Sequence, residues 1–64
     1  MEPTEAQFLV FNALDTLALV NYDFYDQERG NWYIDTPSPV LPRSVILPSG
    51  EVIPFEWVQN YDET

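Results

Sequence analysis

The side chains of this chain that could do chemistry are almost all carboxylates. Eleven Asp and Glu stand against two arginines, Arg29 and Arg43, and there is no lysine, histidine or cysteine. Nucleophilic and general-base catalysis need one of the missing types, or a Ser or Thr with a neighbouring base to activate it. Two carboxylates can hydrolyse a glycosidic bond when they flank a cleft with separated pKa values. A 64-residue chain is a poor size for folding around a sugar. The expectation is a protein that is not an enzyme and has no catalytic residues.

Carboxylates also bind hard cations. Asp23, Asp26 and Glu28 crowd one turn near Gly30, and calcium prefers oxygen ligands. Their spacing is not that of an EF-hand loop, so they read as solvated turn acids. Without cysteine, thiolate metal sites and disulfides are excluded. No metal and no cofactor is expected.

What remains is binding. The formal net charge is -9 on 7.5 kDa. Such a charge repels nucleic acid and anionic membranes and attracts basic protein surfaces. Aromatics make up 16% of the residues, whereas acidic disordered tails are poor in them. The candidate partner-binding acids are Asp23, Asp26, Glu28 and Asp35 in the first β segment and Glu51 and Glu56 in the second. Tyr25, Trp32, Tyr33, Trp57 and Tyr61 are interleaved with them, residue types enriched at binding hot spots. A row of carboxylates on a sheet can imitate nucleic-acid phosphates and occupy a basic groove.

These residues need elements to position them. Thr4-Glu5-Ala6-Gln7 fits a capping box, with Thr4 at the N-cap, and predicts a helix over about 4–19. Its apolar residues cover most of the circumference, which hints at burial on more than one side. The apolar stretch from Phe8 to Val20 is about 13 residues long, short of the ~20 of a membrane span. From Val20 the pattern alternates, predicting a hairpin over about 20–36 that turns at Gln27–Gly30. The expected register pairs Phe24 with Ile34 and Tyr25 with Tyr33, and sets Asp23 opposite Asp35, a costly like-charge pair. Three prolines mark 36–42 as a linker. Its Pro39-Val40-Leu41-Pro42 reads as a rigid spacer rather than a ligand motif. A second hairpin is predicted over about 43–58, turning at Pro48-Ser49-Gly50, and a polar tail over 59–64.

The fold expected is therefore a single α+β domain over 1–64, with the N-terminal helix packed on a small antiparallel sheet of two β-hairpins. Phe11, Leu14, Leu17, Phe24, Ile34, Val45, Ile53 and Phe55 are the predicted core. The function expected is that of a small acidic inhibitor or modulator. It would cover a basic, nucleic-acid-binding surface on a larger protein, as a nucleic-acid mimic of the kind that suits viral or mobile-element genomes. It would not bind nucleic acid or membrane itself, and it would act in the cytoplasm, the host's if viral. The alternative is an accessory subunit that docks, or forms a homodimer, through its apolar helix.

Overall fold

The computed structural model describes residues 2–37 and 42–62. Helix α1 spans Glu5–Thr16, strands β1 and β2 span Tyr22–Asp26 and Asn31–Asp35, β3 and β4 span Ser44–Ile46 and Val52–Pro54, and helix α2 spans Phe55–Asp62. The strands form one antiparallel sheet in the order β1-β2-β3-β4. The α+β architecture of an N-terminal helix and two hairpins is as the sequence predicts. The second helix is not: Phe55–Asp62 is α-helical where strand and then polar tail were expected. Pro54 has no N–H to donate, and beyond it Phe55 N continues the ladder by one bond, to Arg43 O at 2.9 Å, before the chain turns into α2. The middle of the linker, 38–41, and the last two residues lie outside the described residues.

Helix α1 starts where its capping box says it should. Thr4 Oγ1 accepts from Gln7 N at 3.1 Å and Gln7 Oε1 accepts from Thr4 N at 2.9 Å. The helix ends three residues before the expected Leu19. Leu19 N donates to Leu14 O and Ala18 N to Asp15 O, both at 2.9 Å. This is a Schellman ending, and it places Ala18, a residue with a Cβ, in the left-handed region at φ 59°.

The first hairpin is shifted by one residue from the expected register. Asp23 pairs with Ile34, Phe24 with Tyr33 and Tyr25 with Trp32. The turn accounts for this. Asp26 Oδ1 accepts from Glu28 N at 3.0 Å, and Gly30 N donates to Asp26 O at 2.8 Å with Gly30 at φ 77°. That closes the loop with Asp26 opposite Asn31. The shift removes the Asp23–Asp35 opposition, and it turns Phe24 to the other face of the sheet, since a one-residue slip inverts every side chain.

The sheet carries a packed layer on each face. Towards α1, buried Trp32, Ile34 and Ile46 pack with Val10, Phe11, Leu14, Val20 and Tyr25. Trp32 is the hub of this layer: Phe11 stacks on it at 4.3 Å, and Phe8 and Tyr25 meet it edge-on. Towards α2, buried Val45, Ile53 and Val58 pack with Tyr33, Leu47 and Phe55. Two predicted core residues are on the surface instead. Leu17 is 67% exposed because it caps the helix beyond its last turn, and Phe24 is 57% exposed because of the register shift.

Gln7 ties the layers together. It is fully buried, and its Nε2 donates to Gly30 O and to Ile46 O, each at 2.8 Å. Thr4 Oγ1 donates to Pro48 O at 2.7 Å. In the same hairpin turn Gly50 comes so close to α1 that a Cβ on it would lie 3.0 Å from Ala6 Cβ. The start of α1 is thus fixed to both hairpin turns by polar contacts and close backbone packing.

Candidate binding surface

The candidate acids do not gather on one face. Asp23 points to the α1 side of the sheet, where its Oδ2 accepts from Trp32 Nε1 at 2.9 Å. Asp35 points to the α2 side, 3.5 Å from Arg43 Nε. Asp26 is occupied in capping the first turn, also accepting from Arg29 N at 3.4 Å. Glu28 is exposed in that turn, Glu51 in the turn between β3 and β4, and Glu56 in the first turn of α2, where a carboxylate complements the helix dipole. Among the described residues no three acids converge as a metal site requires.

The candidate aromatics divide similarly. Trp32 is 6% exposed and belongs to the core, a correction to its expected role as a surface anchor. Tyr25 is half-buried beside it, with its hydroxyl buried and unpartnered. Tyr33 is half-buried on the α2 side. Trp57 projects from α2 with 56% of its surface exposed. Tyr61 lies in α2, but its side chain lies outside the described atoms.

An aromatic strip on the α2 side of β1 and β2 was not foreseen. Helix α2 packs over β3 and β4 and leaves the β1 end of the sheet uncovered. There Tyr22 and Phe24, 66% and 57% exposed, lie beside Tyr33 and Phe55. Their rings run on from one another: Phe24 to Tyr33 at 6.3 Å and Tyr33 to Phe55 at 5.7 Å. They line a shallow depression of about 320 Å³ that ends at Asp35 and Arg43. The signal for it was the Asp23–Asp35 clash in the expected register; relieving that clash by one residue brings Phe24 out to this face.

A second apolar line runs along the outside of α1. Leu9, Ala13 and Leu17, spaced four apart, are all exposed, Leu9 and Leu17 by about two thirds. The helix is also too short to cross a membrane; no helix among the described residues is long and apolar enough. Comparison with known protein families, curated proteins and solved structures gave no match.

Proposed function

We propose that this protein works by stoichiometric binding, without catalysis, to a larger protein whose surface is basic, and that it modulates that protein by covering a nucleic-acid-binding site. The observation that carries this reading is the net charge of -9 on 64 residues. Because Asp23 and Asp35 stand on opposite faces, the attraction is that of the whole molecule rather than of one carboxylate row. Long-range attraction of this kind speeds encounter and is weakened by salt. Exposed Tyr22, Phe24 and Trp57 supply the apolar contact that holds a complex once formed.

The test is affinity capture with the tagged protein at low and high salt, with duplex DNA as competitor. Stoichiometric capture of a basic protein, released by salt and displaced by DNA, supports the reading. Capture that resists both refutes it.

The line of Leu9, Ala13 and Leu17 favours a second reading, an accessory subunit that assembles through α1. Sedimentation at low and high salt separates the two. Self-association that tightens as salt screens the charge, and that is lost in Leu9→Glu, belongs to the assembly reading.

A further inference from the structure

The sheet has two edges, and they differ. Strand β4 is three residues long, contains Pro54 with no N–H to offer, and runs directly into α2. Strand β1 is five residues, Tyr-Asp-Phe-Tyr-Asp, without proline, glycine or lysine. Among the described residues no strand pairs with its outer side. Open edges are usually blunted by lysine, proline or a covering element, because they template pairing with another chain. The carboxylates of β1 blunt it selectively. Two copies joined along β1 would set two acidic strands side by side, in molecules that each carry -9, and like charges near one another across a strand pair are destabilising. A cationic strand meets no such cost.

We propose that the outer edge of β1 accepts an extended, cationic segment of the partner protein as a fifth strand. This rests on the binding function proposed above and specifies how the partner is held. Side chains alternate across a strand, so the segment would alternate too. Residues on the α1 side face Asp23 and are basic. Residues on the α2 side lie over Tyr22 and Phe24, continue the strip formed with Tyr33 and Phe55, and are apolar or arginine. Arg43 lines the same depression, 3.5 Å from Asp35, and a cation over an aromatic face is attracted to it. Backbone hydrogen bonds would give affinity and the alternating side chains specificity, as in other strand-addition complexes.

The experiment is a titration of the ¹⁵N-labelled protein with a synthetic heptapeptide alternating lysine and valine, and with its fully N-methylated twin. The twin keeps the charge and loses every backbone donor. The expected result is shifted and exchange-protected amides in Tyr22–Asp26 with the plain peptide, and binding weaker by on the order of tenfold or more with the twin. Phe24→Ser, at an exposed site, is expected to weaken the plain peptide several-fold while leaving the rest of the spectrum in place. Equal binding of the two peptides, with shifts scattered over the acidic surface, overturns the strand inference and leaves the charge-based function standing. No binding of either at low salt overturns both. Concentration-dependent protection of β1 without peptide makes a second copy the occupant and also overturns the inference.

Discussion

Replacing Gln7 by leucine tests what holds helix α1 to the sheet. Leucine keeps the approximate volume and the helix propensity. It removes the Nε2 donor shared by Gly30 O and Ile46 O and the Oε1 acceptor for Thr4 N. Each neutral hydrogen bond contributes about 1 kcal/mol net, and more where a buried group is left unsatisfied. Loss of the reciprocal half of the capping box adds up to about 1 kcal/mol. The expected destabilisation is therefore about 2–4 kcal/mol. A domain of this size has roughly 3–10 kcal/mol in total, and the corresponding fall in Tm is roughly 10–30 °C. Urea unfolding followed by far-UV circular dichroism measures it. A loss below about 0.5 kcal/mol with an unchanged m-value would refute the reasoning, because carbonyls left without a donor in a buried site cannot be that cheap. Gln7→Glu sharpens the test. It preserves the acceptor for Thr4 N, but above its pKa it sets a carboxylate against two carbonyl oxygens. Protonation restores a donor, so this variant should regain stability relative to wild type as pH falls, and Gln7→Leu should not.

Other expected outcomes concern the backbone and the charge. Ala18→Gly relieves a Cβ held at φ 59° in the Schellman ending and should stabilise by about 0.5–1 kcal/mol in urea unfolding, the left-handed cost exceeding the entropy that glycine adds to the unfolded chain. Gly50→Ala acts oppositely, since φ is +92° and the new Cβ would meet Ala6 Cβ at 3.0 Å; a loss of about 1–3 kcal/mol is expected by the same method. Added sodium chloride should raise the urea midpoint, because screening weakens the self-repulsion of a chain at -9; a midpoint that falls with salt would show that local ion pairs outweigh net repulsion.

The sequence was legible where a signal was local. Thr4 and Gln7 marked the start of α1, and the alternation around Phe24 and Ile34 and the glycines at 30 and 50 marked both hairpins. It was misread where two solutions differed by a single residue. The side chain of Asp26 closes the first turn one residue tighter than the hydrophobic pattern suggests, and this moves Phe24 from core to surface. Helix α2 was hidden because Ile53-Pro54-Phe55-Glu56-Trp57-Val58 alternates like a strand. With α2 missing, Val58 was left out of the core; Trp32 shares the α1-facing side with Ile34, and counting it also as a contact anchor followed its residue type rather than its place in the strand. The charge was plain from composition, but its distribution over both faces depends on the register and could not be read before it.

The fastening of α1 to distant residues has a consequence for how this protein is made. Thr4 bonds to Pro48, 44 residues further along the chain, and Gln7 to Ile46, 39 residues further. At roughly 5–20 residues synthesised per second, the beginning of the helix waits roughly 2–9 seconds for its partners to exist. Throughout that interval Phe8, Phe11 and Leu14 have no β3 to pack beneath them. The carboxylates already translated, Glu2, Glu5, Asp15 and Asp23 among them, give that unfinished apolar segment a negative charge, and like-charge repulsion opposes its association with other copies before β3 exists.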